Sequence, residues 1–238
     1  MTPIGGGRSQ NRVDAGWKDA SCLAMFIRMY LPGLILLLNA APADAQVCRG
    51  TAPFGSFPYQ IGGTAAVADD VRAFGGSFGV GNRYVFAEAG VLSRHFDGAA
   101  GSATEIGARG GLEVRVSESR RIFFCPVGFL AFEAGPDAGA SETSTLRGGA
   151  GGRVGVIVHD GVTLQVVPTF GIDAARRRTS MDVAGIEQNV TDGYGVATIG
   201  IGFVASRRFS VTPEVAVPVS AAESDVVVSV RAAYSFGQ

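Results

Sequence analysis

Ser93, His95 and Asp97 put a hydroxyl, an imidazole and a carboxylate within five residues. On an extended strand, residues two apart share a face, so the three would stand in one row as nucleophile, base and orienting acid. Hydrolytic triads usually converge from distant segments, however, and these residue types meet by chance in many chains. The expectation is a protein without catalytic residues. Gly148-Gly149-Ala150-Gly151-Gly152 has the glycine content of a phosphate loop but neither the lysine nor the helix that such a loop needs. Arg176-Arg177-Arg178 is better suited to anions, because a guanidinium forks onto phosphate through charge-assisted hydrogen bonds.

Glu105, Arg109, Glu113, Arg115, Arg147, Arg153, Asp173, Glu214 and Arg231 recur at alternate positions in stretches that are otherwise small or apolar. Both signs occur in similar number, and charges shut away from water need partners. The set reads as a salt-bridged internal network or as the wall of a narrow conduction path. Cys48 and Cys125 with two scattered histidines, His95 and His159, do not make a zinc site. No metal or other cofactor is expected. In an oxidising compartment the two cysteines form a disulfide.

The elements that would position these groups follow from composition and period. Of 238 residues, 35 are Gly and 17% are charged. Glycine at that density opposes long helices, since each interior Gly costs about 0.8–1 kcal/mol relative to Ala. No apolar run after residue 40 approaches the 18 or so residues of a spanning helix. The 20 basic and 21 acidic residues nearly cancel and give no footprint for nucleic acid.

Arg28, the apolar run from Met29 to Leu38 and the exit Ala43-Asp44-Ala45 have the form of a secretory signal peptide. The expected organisation is a leader over 1–45, with translation beginning at Met1, Met25 or Met29, then an N-terminal periplasmic segment over 46–56 and a barrel over 57–238. Val47 before Cys48 is unlike a lipid-attachment site.

Beyond the leader the period is two. Val162, Leu164, Val166, Phe170 and Ile172 alternate with more polar partners, as do Phe209, Val211, Val215 and Val217, and again Val226, Val228, Val230, Tyr234 and Phe236. The rule predicts ten strands near 57–66, 71–81, 83–93, 102–116, 120–134, 146–158, 162–177, 192–205, 208–219 and 225–236. Eight is the alternative if one segment does not span. About 9–11 residues suffice for a tilted strand to cross a bilayer. Short links at Gly81-Asn82, Ser117-Glu118-Ser119, His159-Asp160-Gly161 and Ser206-Arg207 alternate with longer ones at 67–70, 94–101, 135–145, 178–191 and 220–224. Periplasmic turns are short and outer loops long in membrane barrels, so both termini are expected in the periplasm. Phe57, Tyr59, Phe78, Tyr84, Phe86, Phe124, Phe203, Phe209, Tyr234 and Phe236 gather at the short-turn end like an interfacial girdle.

With the apolar face turned to lipid, the charged set points inward and glycines 148, 152, 200 and 202 point outward. The strand over 83–93 conflicts internally. Tyr84, Phe86 and Leu92 mark the even face as outward, yet Glu88 shares that face. Either a bulge re-aims Glu88 or the register is shifted.

From Phe57 to Gln238 the chain resembles the small bacterial outer-membrane β-barrel superfamily, of the OmpA and opacity types. The final strand, with Tyr234 and Phe236, is similar to the aromatic-ending signal that this family offers to the barrel-assembly machinery, although Gly237 and Gln238 follow here. The resemblance implies a closed, antiparallel, up-and-down transmembrane barrel in the outer membrane, bounded by lipid and lipopolysaccharide, whose phosphates Arg176, Arg177 and Arg178 would meet. The expected role is structural, in envelope integrity or surface interaction, with a largely plugged lumen. A narrow porin-like channel is the second reading and a lipid-modifying enzyme the third.

Overall fold

The protein is seen in a computed structural model that describes residues 47–51, 57–97, 101–116, 121–135, 141–161, 163–183, 186–220 and 225–237. The leader expected over 1–45 lies outside these residues. Ten long strands follow one another: β1 Tyr59–Ala68, β2 Val71–Gly81, β3 Val85–Phe96, β4 Ser102–Leu112, β5 Ile122–Ala134, β6 Ser141–Val156, β7 Leu164–Val183, β8 Ile186–Ala205, β9 Phe209–Pro218 and β10 Val227–Phe236. Each is antiparallel to the next, and β1 pairs with β10 from Tyr59↔Phe236 to Val67↔Val228, which closes the sheet. Two-residue ladders at Val114–Arg115 and His159–Asp160 extend β5 and β7 at one rim. The fold is a closed up-and-down barrel of ten strands.

Alternation along each strand sorts the side chains. Ile61, Phe74, Val91, Ile106, Leu130, Leu146, Ile172, Ile199, Val215 and Val230, one from every strand, are all exposed on the outer surface. Inward positions are mostly small, polar or charged, with Phe86, Phe123, Val167 and Val204 as large apolar exceptions, and Ser210, Thr212 and Ser235 are enclosed.

Several expectations are corrected. On β3 the outward residues are Val85 and Val91, while Phe86 is buried. Pairing with β2 and β4 runs unbroken through Glu88, so there is no bulge and the whole even face points inward. Both faces of this strand carry apolar residues, which removes the contrast that fixes a face. Gly148 and Gly152 face outward beside Leu130 and Phe124, but Gly200 and Gly202 face the lumen, against Thr169 and Gly50.

The loop expected over 178–191 is instead a hairpin. β7 and β8 pair continuously from Val183↔Ile186 to Leu164↔Ala205. The link expected over 67–70 shrinks to a turn at Asp69-Asp70, because Ala68 still pairs with Val71. The regular exchange of short and long links therefore disappears. What distinguishes the rims is the β7–β8 hairpin, which runs on past the last β8–β9 pair, Val196↔Pro218. The rim holding Tyr59 and Phe236 is here called the terminal rim, and the opposite one the hairpin rim.

Candidate functional site

Antiparallel pairing sets inward residues of adjacent strands side by side, so acids on one strand meet bases on another. Three clusters of three or more charges result, besides the single pair Arg177–Asp192. Nearest the hairpin rim, Arg94 on β3 lies 2.7 Å from Glu105 on β4 and 3.2 Å from Glu133 on β5. Arg147 on β6 pairs with the same two carboxylates, reaching Glu133 at 3.1 Å. Midway along the lumen, Glu88 on β3 accepts Arg109 Nε at 2.7 Å and has Arg231 of β10 at 4.0 Å. A third group joins Arg153 on β6 to Asp173 on β7 at 3.4 Å and to Glu214 on β9 at 3.0 Å. These carboxylates and guanidinium groups compensate one another, as enclosed charges must.

At the terminal rim the lumen is occupied by the chain itself. Val47–Arg49 forms a single 3-10 turn, wholly buried. Cys48 is disulfide-bonded to Cys125 of β5, with Cα atoms 6.0 Å apart. Val47 and the two cysteines pack with Phe123, Ile157 and Val167 into a small apolar cluster. Arg49 forms an ion pair with Glu88 and lays its guanidinium 4.8 Å over the Phe86 ring. Thr212 Oγ1 donates to the Gly50 carbonyl at 2.9 Å.

Close approach explains two glycines. Gly50 has φ +61° and lies backbone to backbone against Gly202, so a Cβ on either would overlap the other. Glu113 fastens the turn from below. Its carboxylate accepts the Val47 N–H, with Oε2 3.9 Å from Cys125 Sγ. Burial pushes the Glu113 carboxyl well above its usual range, against the opposing pull of that N–H and of the Arg115 charge.

Arg49, Phe86, Glu88, Arg109, Arg153 and Arg231 line a cavity of about 350 Å³. The buried turn thus forms part of its wall.

Of the nine charged residues expected in the lumen, Glu105, Arg109, Arg147, Arg153, Asp173, Glu214 and Arg231 enter these groups, whereas Glu113 lies buried against the N-terminal turn with the Arg115 charge acting on its carboxyl. Arg49, Arg94 and Glu133, absent from the sequence reading, complete the network together with Glu88, whose face that reading left open. Glu133 carried a readable signal as the one charge of β5, and Arg94 carried one through sharing the even face of β3 with Glu88. Arg49 carried none except its place next to Cys48. Phe86 leaves the expected girdle for the lumen, whereas Tyr59 packs near Phe78 and Phe236 at ring separations of 6.1 and 5.8 Å.

Cys48, Glu113 and Cys125 bring their ligand atoms within 4.8 Å of one another. The sulfurs are bonded to each other, however, and a disulfide does not supply the thiolates that bind zinc.

The arginine triplet is split. Arg176 and Arg178 share the outward face with Ile172, while Arg177 turns inward, 2.6 Å from Asp192 and 5.7 Å over Tyr194. Ser93, His95 and Asp97 do share an outward row near the hairpin rim. Residues two apart on a strand are spaced about 7 Å along the backbone. The His95 ring stacks on Phe74 at 5.3 Å and Asp97 faces Arg72 at 3.6 Å, so the base and the acid are engaged elsewhere.

No protein-family profile and no curated protein sequence matches the chain. Solved structures do. The N-terminal β-barrel domain of Pseudomonas aeruginosa OprF shares 10% identity over 75% of this chain and 96% of its own, with a TM-score of 0.35. Neisserial surface protein A shares 12% over 75% and 96%, with a TM-score of 0.37. LpxR from Salmonella typhimurium shares 8% over 74% and 100%, with a TM-score of 0.40. These neighbours are small outer-membrane β-barrels.

Proposed function

We propose that this chain spans the bacterial outer membrane and serves there in a structural, integrity or surface-interaction role, with its lumen filled by the ionic network and the N-terminal turn. The observation that carries the reading is the inversion of polarity. An apolar surface runs unbroken around all ten strands, while paired charges sit inside. In water such a belt is an association surface; in hydrocarbon it is what a closed barrel presents. Strand length agrees. The 10 or 11 residues of β1, β2, β4, β9 and β10 rise roughly 33–36 Å and, tilted by about 40°, cover roughly 25 Å.

On this reading the terminal rim faces the periplasm and the β7–β8 hairpin stands outside. Arg176 and Arg178 then meet lipopolysaccharide phosphates just beyond the apolar belt. β10, with Tyr234 turned outward, is the strand offered to the assembly machinery. The test is fractionation combined with electrophoresis of boiled and unboiled samples. Outer-membrane recovery and a heat-dependent mobility shift are expected. Recovery from the periplasm without detergent would overturn the reading.

A further inference from the structure

The buried turn at Val47–Thr51 belongs to no ladder of the sheet. It is held by one covalent bond, Cys48–Cys125, and otherwise by non-covalent contacts that include the packing of Val47 and Cys48 on Phe123, Ile157 and Val167, the Arg49–Glu88 pair, the Arg49 guanidinium over Phe86, the Thr212–Gly50 hydrogen bond and the Val47 N–H on Glu113. We propose that this segment is a gate, and that reduction of its disulfide turns the barrel into a narrow pore for small hydrated ions. The proposal rests on the membrane-barrel reading above.

Three features of the wall suit a segment that can leave. First, the space it fills is cut out by Gly202 and Gly155, whose missing side chains admit the backbone of Gly50 and of Val47. That space remains when the turn withdraws, because the ten-strand ladder closes without it. Second, Arg49 lines the 350 Å³ cavity, so its departure opens that cavity towards the terminal rim. Third, the charges stay balanced. Glu88 loses Arg49 but keeps Arg109 at 2.7 Å and Arg231 at 4.0 Å, and Glu113 loses the Val47 N–H but keeps the Arg115 charge. At the hairpin rim the group of Arg94, Glu105, Glu133 and Arg147 remains as the constriction, which keeps the pore narrow.

The chemistry is an ordinary exchange. A dithiol reductant attacks the disulfide, passes through a mixed disulfide and closes to its own disulfide. It gives up two electrons and two protons, and Cys48 and Cys125 become thiols.

The experiment is planar-bilayer conductance of the folded chain, with insertion first established by the mobility shift. The oxidised protein is expected to be silent. Adding a dithiol should produce discrete current steps, and removing it under oxidising conditions should abolish them. After reduction, a charged methanethiosulfonate should attach to Cys125 and block the current, and the block should vanish in C125S. A triple variant, C48S/R49G/C125S, should conduct without reductant. Equal currents from the oxidised and reduced protein would overturn the gate. Silence of both the reduced protein and the triple variant, once inserted, would overturn it too. A chain that fails to insert at all would instead remove the membrane reading beneath it.

Discussion

Arg49 on the N-terminal turn and Glu88 on β3, 39 residues away, form an ion pair inside the barrel with side chains 2% and 8% exposed. Their dependence on each other is unequal, because Glu88 also faces Arg109 and Arg231. Glu88→Gln deprives three guanidinium groups of one carboxylate and is expected to cost about 3–5 kcal/mol, the range for breaking a buried pair. Arg49→Met leaves Glu88 compensated by Arg109 and should cost less, about 1–3 kcal/mol on the same scale. Urea unfolding followed by circular dichroism measures both. Equal costs would show that Arg109 and Arg231 do not share the carboxylate.

Glu113 should make stability depend on pH. Its carboxyl is raised above the ordinary value of 4.5, chiefly by burial. Between the unfolded and the folded value the native state holds more protons, so stability falls as pH rises through that window and levels off above it. Glu113→Gln still accepts the Val47 N–H but does not titrate. The wild type should therefore lose stability relative to the variant between pH 4.5 and the raised value. Parallel curves for the two proteins would refute this assignment.

The β8–β9 turn invites a stabilising change. Ser206 and Arg207 have φ of 48° and 56°, and Arg208 N–H closes the turn on the Ala205 carbonyl at 3.1 Å. Positive φ at both central residues is the type I′ geometry, which favours Asn-Gly. Left-handed backbone costs an ordinary residue about 1–2 kcal/mol. Ser206→Asn with Arg207→Gly should raise the temperature at which the unboiled band is lost. An unchanged or lower temperature would mean that the flanking ladders, not the turn, limit unfolding.

The hairpin should be separable from the barrel. From Ile186 to Tyr194, β8 pairs with β7 but not with β9, and on the other side of β7 the extension is joined by β6 alone, from Ser141↔Val183 to Leu146↔Arg178. Replacing 178–191 by an Asn-Gly turn, which would join Arg177 to its pairing partner Asp192, should leave the mobility shift intact. Arg176→Gln with Arg178→Gln should leave folding unchanged while reducing co-purified lipopolysaccharide. Full lipopolysaccharide recovery with that double variant would remove these two residues as the contact.

Alternation alone was enough to read β9 and β10, because Val215, Val217, Val228 and Val230 fall on one face and Glu214 and Arg231 on the other. Hydrophobic contrast across a strand is a local property, and where it is strong it fixes the face. The same rule misread β3, where Val85 and Val91 oppose Phe86 and Leu92 and the contrast vanishes. It also missed the hairpin, whose residues 186–191 are exposed on both faces and carry no period.

By itself, then, the sequence determined that the chain is built of amphipathic strands, that their charges must be shut together away from the apolar face, and that Cys48 and Cys125 were available to each other. The tertiary structure decided which charges meet. Glu105 finds Arg94 and Arg147, and Arg153 finds Glu214 61 residues away, only because pairing sets inward side chains in rings. Arg49 reaches Glu88 only because the sheet closes on itself and leaves a space that Gly202 and Gly155 keep open. A side chain's partner across a lumen depends on strand order, register and closure together, and none of these is a property of the segment that carries it.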